Sequence, residues 1–193
     1  MTTTATLPST PLLTALRGVY FLRFAFALVW ASILLATMPG PGPLLTVLLV
    51  IYPLVDAAAV YWQIHSEGDA SAPRVVETIN VVVSVVIAIA VGVASTLSIA
   101  AALGVWGAWA AVSGLSQLIT AVRRRSAGGQ IPQMFSGGIS VLAGISFLVQ
   151  ASNGADSLTS IGGYAILGGL FFLASAIRLS VVLRPARVPV SAG

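Results

Sequence analysis

The sequence predicts an all-α membrane protein of six transmembrane helices, arranged as three tandem helical hairpins with both termini on the cytoplasmic side. Three observations carry this prediction. The 193 residues are 58% hydrophobic and only 7% charged, with a mean hydropathy of +1.02, far above that of a water-soluble domain. The apolar residues gather into six runs of membrane-crossing length. The basic residues collect at one set of run ends and leave the other set bare.

A helix rises about 1.5 Å per residue and the hydrocarbon layer is about 30 Å thick, so one crossing takes about 20 mostly apolar residues. Backbone groups in lipid must be satisfied within their own segment, which makes helix the economical form. Runs of this kind lie at about residues 17–38, 44–63, 76–94, 97–122, 134–151 and 158–183. Residues 1–15 form a polar, Pro-containing tail. The first run contains Arg23 and lacks a small-residue cleavage site, so it is expected to be a retained span rather than a cleaved signal. Between the first and second runs, Pro39-Gly40-Pro41-Gly42-Pro43 removes donors and blocks helix continuation. The third and fourth runs form one uncharged stretch from Thr78 to Val122, about twice one crossing, and Gly92, Ser95, Thr96 and Ser98 predict a break near its middle. The hairpins are then residues 16–66, 67–125 and 126–184, followed by a C-terminal tail at 185–193.

Orientation follows from charge, because short cytoplasmic loops retain Arg and Lys. Arg17, Arg74, Arg123, Arg124, Arg125, Arg184 and Arg187 fall on one side, whereas residues 39–43, 95–98 and 152–157 contain no base. The expected location is therefore the inner (plasma) membrane, multi-pass, with both termini inside. Arg123, Arg124 and Arg125 read as a stop signal and interfacial anchor ahead of a specific anionic-lipid site. Arg178 precedes the apolar stretch Leu179 to Leu183, so its side chain is expected to snorkel to the same surface as Arg17 and Arg184.

The even-numbered spans repeat one another. Tyr52, Trp109 and Tyr164 are each followed four positions later by Asp56, Ser113 or Gly168, and then by Ala57, Gly114 or Gly169. Arg123 and Arg178 recur nine residues after that Gly. The odd-numbered spans echo each other more weakly, through Arg17-Gly18 and Ser136-Gly137. In Leu16-Arg17-Gly18, Met38-Pro39-Gly40, Tyr52 to Ala57, Gly107 to Gly114 and Gly162 to Gly169, the chain resembles the HdeD-like membrane proteins of bacteria over about residues 15–183. It departs from that pattern at Ala57, where Gly is usual, and at Ser113 and Gly168, where Asp occurs. The resemblance implies an inner-membrane protein associated with acid or general stress resistance, without a defined set of catalytic residues.

Ionisable groups inside spans are costly and invite a functional reading. Arg23 lies six residues inward from Arg17, and Asp56 lies six residues before Trp62 on the returning helix. Both then sit about 9 Å below the cytoplasmic interface, a matched depth that allows an intramembrane ion pair. The structural reading is a hairpin clamp, and the functional one a proton- or ion-responsive site. His65, Glu67, Asp69, Arg74 and Glu77 cluster about one loop, where a solvated surface is expected before a metal site or pH sensor. Small residues at four-residue spacing, Gly107/Ala111, Ala110/Gly114 and Ser140/Gly144, predict close helix approach. Trp30, Trp62, Trp106 and Trp109, with Tyr20, Tyr52, Tyr61 and Tyr164, are expected in part to anchor the interfaces.

Nine Arg, five acids and no Lys are too few and too scattered for a nucleic-acid face. Without Cys, thiol catalysis and Cys-based metal sites are excluded. No catalytic motif, metal set or cofactor loop stands out, so the expectation is a noncatalytic membrane protein with no cofactor. Its partners are expected to be the lipid bilayer, with a second copy or another membrane protein as candidates for the small-residue faces. A small proton-coupled transporter using Asp56, or an assembly subunit, are the rival readings.

Overall fold

A computed structural model describes residues 10–38, 40–66, 75–123 and 131–183. They form six α-helices: α1 (Thr10–Thr37), α2 (Pro43–Ser66), α3 (Val75–Leu97), α4 (Ile99–Arg123), α5 (Ile131–Ser152) and α6 (Thr159–Val182). All six are long and apolar enough to cross a membrane. The chain is thus an all-α, six-span membrane protein. Helix α1 starts earlier than the apolar run does, because helix can continue past the hydrocarbon wherever the backbone stays regular.

Local chemistry sets the turns. Met38 ends α1 in a left-handed conformation, φ +36°, and Pro43 opens α2, where its missing N–H would be unpaired anyway. The long uncharged stretch breaks at Ser98 alone. The Ser95 and Thr96 hydroxyls fold back on the carbonyls of Gly92 and Val93, 2.8 Å each. Ser98 Oγ then caps the Ala101 N–H at 3.0 Å, starting α4 at once. Gly92, Ser95 and Thr96 all belong to α3, and Gly92 contributes only the carbonyl that the Ser95 hydroxyl bonds.

The helices close into a ring in which each packs on its chain neighbours and α6 packs on α1. Tight and loose contacts alternate around it. The close pairs are α4–α5, α6–α1 and α2–α3, all between successive hairpins, while α1–α2 is the loosest. Each hairpin is therefore a unit of connection, and its packing partners belong to the hairpins on either side.

Glycine makes the tightest seam. A Cβ on Gly144 would lie 2.5 Å from the Ala111 amide nitrogen and 2.6 Å from the Gly107 carbonyl oxygen. One on Gly114 would lie 2.6 Å from Ser140 Cβ, and one on Gly137 would lie 2.8 Å from the Gly114 carbonyl oxygen. Removing side chains on both sides brings the two backbones into contact, the means by which helices associate where no hydrophobic effect drives them. The α6–α1 seam repeats this more gently, with Gly169 facing Ala27 and Gly162 facing Leu35.

Gly144→Ala is expected to cost about 1–3 kcal/mol, because rigid backbone must move to admit the methyl. Gly138→Ala, which meets nothing within 4 Å, should stay within about 0.5 kcal/mol of the parent. Equilibrium unfolding in detergent micelles, followed by tryptophan fluorescence, separates the two.

Candidate functional site

A chain of polar side chains crosses four helices. Arg23 on α1 donates to Asp56 Oδ1 on α2, forming an ion pair whose side chains are only 16% and 11% exposed. The other carboxylate oxygen, Asp56 Oδ2, accepts from Asn80 Nδ2 on α3 at 3.2 Å. Asn80 Oδ1 in turn accepts from Ser113 Oγ on α4 at 3.0 Å. Such sharing offsets desolvation, because both oxygens of the buried carboxylate receive donors and the amide is used at both ends.

A second chain completes the circuit. Gln117, one turn beyond Ser113 on α4, donates to Gln133 on α5, and Gln133 Nε2 donates to Ser175 Oγ on α6 at 2.9 Å. One turn before Ser175, the Phe172 ring lies 4.1 Å from the guanidinium carbon of Arg23. That cation–π contact returns the circuit to α1. Two hydrogen-bonded chains, adjacent on α4, and this cation–π contact thus form a belt that touches all six helices in the half of the ring where α1 begins and α6 ends.

Beyond the belt the ring is filled. Trp30 of α1 and Trp106 of α4 stack across it with centroids 5.4 Å apart. Trp109 meets Trp106 edge-on at 5.3 Å, and Tyr52 of α2 contacts Trp30 at 4.8 Å and Trp109 at 5.8 Å. Helices that are not neighbours in the ring therefore touch through their aromatics. Trp30 Nε1 donates to the Leu48 carbonyl at 2.7 Å and Trp109 Nε1 to Ser84 Oγ at 3.0 Å. Trp106 Nε1 has no acceptor among the described residues. Sequence reasoning expected several of these aromatics at the interfaces. Trp30, Trp106 and Trp109 instead lie 2%, 0% and 3% exposed in the core, whereas Tyr61 and Trp62 are exposed near the end of α2.

The repeat motif takes on geometric meaning here. In the second and third hairpins the aromatic of the even helix bonds a serine of the helix before it: Trp109 to Ser84, 25 residues back, and Tyr164 OH to Ser140 Oγ, 24 residues back at 3.0 Å. Gly114 faces Ser140, as Gly169 faces Ala27. These contacts place Ala27, Ser84 and Ser140 in register, and with them Arg23, Asn80 and Ser136, four residues earlier in each helix. Ser136 thus corresponds to Arg23, whereas the sequence echo matched Ser136-Gly137 to Arg17-Gly18. Gly137 is pressed against α4 and Gly18 meets nothing within 4 Å, which sets those two glycines apart.

Of the residues singled out from sequence, Arg23, Asp56 and Ser113 meet in the belt, Tyr52 and Trp109 in the aromatic core, and Gly114 and Gly169 in the seams. Gly168 meets nothing within 4 Å. Arg123 and Arg178 are exposed, and Arg17 is half-buried on α1. Arg124, Arg125 and Arg184 lie outside the described residues, as do Glu67, Asp69, Arg74 and Arg187. His65 Nδ1 meets the Tyr61 carbonyl at 2.9 Å, its ring against Tyr61. Sequence reasoning passed over Asn80, Gln117, Gln133 and Ser175. A polar side chain within each apolar run was the available signal. Comparison of the chain with family models, curated proteins and solved structures finds no match.

Asp56→Ala is expected to destabilise the bundle by about 3–5 kcal/mol, since it leaves the Arg23 guanidinium unpaired in a largely dry site. Ser113→Ala, which removes one neutral bond, should cost about 0.6–1.7 kcal/mol. Folded yield of Arg23→Asp, Asp56→Arg and the double exchange, measured in membranes, checks the pairing, with partial rescue expected in the double exchange.

Proposed function

We propose that this chain is a sealed, noncatalytic helical bundle of the bacterial inner membrane that serves in tolerance of acid or envelope stress, with both termini on the cytoplasmic side. The sealed character rests on one observation: the interior of the ring is occupied by Trp30, Tyr52, Trp106 and Trp109 in mutual contact. A conducting path needs polar, hydrated lining through the full thickness, and this aromatic layer interrupts any such lining above the belt. Asp56 also has both carboxylate oxygens engaged, by Arg23 and Asn80, which favours the clamp reading.

The stress role draws on the resemblance to HdeD-like proteins through Tyr52 to Ala57, Gly107 to Gly114 and Gly162 to Gly169. A bundle fastened by an internal belt and backbone seams suits service in a membrane exposed to harsh conditions, because its cohesion depends little on solvent-exposed ion pairs that acid would discharge. The inside placement of the termini draws on the one-sided distribution of Arg.

Two measurements test this. In proteoliposomes loaded with a pH-sensitive dye, proton flux should not exceed that of empty vesicles; flux that vanishes in Asp56→Asn would make the chain a transporter. A deletion strain should survive acid and envelope stress less well than its parent and regain survival on complementation. Unchanged survival removes the stress role.

A further inference from the structure

A cavity of about 230 Å³ opens at the end of the ring where the end of α1, the start of α4 and the segment leading into α6 meet. A cavity of about 150 Å³ is enough to hold benzene when its walls are apolar. Here Leu34, Leu35, Ile99 and Leu158 form an apolar wall. Leu34 and Leu158 are also buried members of the hydrophobic core, so that side of the cavity is fixed by the packing of the bundle.

The polar edge is Asp156 with Ser157 and Thr159. The two hydroxyls lie 2.8 Å apart and bond each other, and Ser157 Oγ also accepts the Thr159 N–H at 3.2 Å. Asp156 differs from them: it is exposed and makes no hydrogen bond or ion pair with any described residue. It is also the sole ionisable side chain in the turns at this end, residues 38–43, 97–98 and 153–158. Among the described residues no cation competes for it, since Arg23 is paired with Asp56 and Arg17, Arg123 and Arg178 lie toward the other end of their helices.

We propose that this cavity binds an organic ammonium ion carrying an apolar tail, with the ammonium on the Asp156 carboxylate and the tail against Leu34, Leu35, Ile99 and Leu158. A lone carboxylate beside two mutually bonded hydroxyls offers too few oxygens to replace the hydration of a divalent metal. One unpaired carboxylate does match one ammonium, whose donors it accepts as charge-assisted bonds. The apolar wall contributes only if the ligand brings hydrocarbon to cover it. Both a lipid amine headgroup and a free amine from the aqueous side satisfy this chemistry.

The test is calorimetric titration of hexylammonium into the purified full chain in a nonionic maltoside micelle. Saturable one-site binding is expected. It should weaken about tenfold in Asp156→Asn, the scale of one charge-assisted contact, and be retained in Asp156→Glu. Ile99→Trp, which fills the cavity and leaves the carboxylate in place, should also weaken it. Unchanged melting of each variant without ligand keeps loss of binding distinct from loss of fold. Doping the micelles with phosphatidylethanolamine distinguishes the sources: competition there, and none with phosphatidylglycerol, identifies the headgroup amine, and no competition with either lipid identifies a free amine. Absence of saturable binding to the parent, or equal affinity in Asp156→Asn, overturns the proposal.

Discussion

A guanidinium and a carboxylate placed among apolar helices cannot be left apart, because each alone would cost several kcal/mol to hold away from water. In this bundle the two meet across α1–α2, which is the loosest contact in the ring. The coincidence has a physical sense. The α4–α5 seam holds itself together by backbone contact through Gly107, Gly114, Gly137 and Gly144, and needs no charge. At α1–α2, where the helices make the loosest contact of the ring, the ion pair adds attraction and register to the Trp30–Leu48 hydrogen bond and the packing of Phe26 and Trp30 on Tyr52. Asp56 extends that hold to α3 through Asn80, and Asn80 to α4 through Ser113, so one carboxylate fixes the relative depth of four helices.

The three hairpins share a backbone plan and differ in its chemical content. At the odd-helix position stand Arg23, Asn80 and Ser136; at the even-helix position stand Asp56, Ser113 and Gly168. The first pair is ionic and the second a neutral hydrogen bond. In the third, Gly168 has no side chain to offer. Helices α5 and α6 are joined instead by Tyr164 to Ser140 and by Gln133 to Ser175. Repetition therefore preserved what the alternating seams require while leaving each polar position free to weaken or move. Gly114 and Gly169 sit where backbones approach and are constrained by it; Gly168, open to space, is not.

The spans were legible in the sequence because hydrocarbon thickness imposes their length from outside, whatever they pack against. The meeting of Arg23 and Asp56 could be framed because depth along antiparallel helices follows from rise per residue alone. The order of packing around the ring could not. Helices that are apolar on every side carry no stripe pointing to a core, so lipid-facing residues such as Leu22, Ile89 and Leu142 look the same in sequence as the buried Leu49 and Leu103. Tryptophan is ambiguous for a related reason, since its apolar body suits a core and its N–H suits an interface. Asn80, Gln117 and Gln133 are unremarked singly; only the ring places them edge to edge.

One face of α1 runs through every layer of the molecule. Arg23 sits in the polar belt, Ala27 in the seam against Gly169, Trp30 in the aromatic stack, and Leu34 in the wall of the far cavity. Their spacing of four, three and four residues is that of a single helical stripe. Between the ends Trp30, Tyr52, Trp106 and Trp109 pack against one another across the ring, so displacement of packed helix is one way in which the two ends are mechanically connected. Helix α1 is suited to carry it, being in the loosest contact of the ring with α2, through the Arg23–Asp56 pair and the contacts of Phe26 and Trp30, and joined to α6 by a seam gentler than that of α4–α5. A shift of Leu34 at the cavity would be felt at Arg23 through one continuous hydrogen-bonded rod, and at Asp56 through the charge that Arg23 carries.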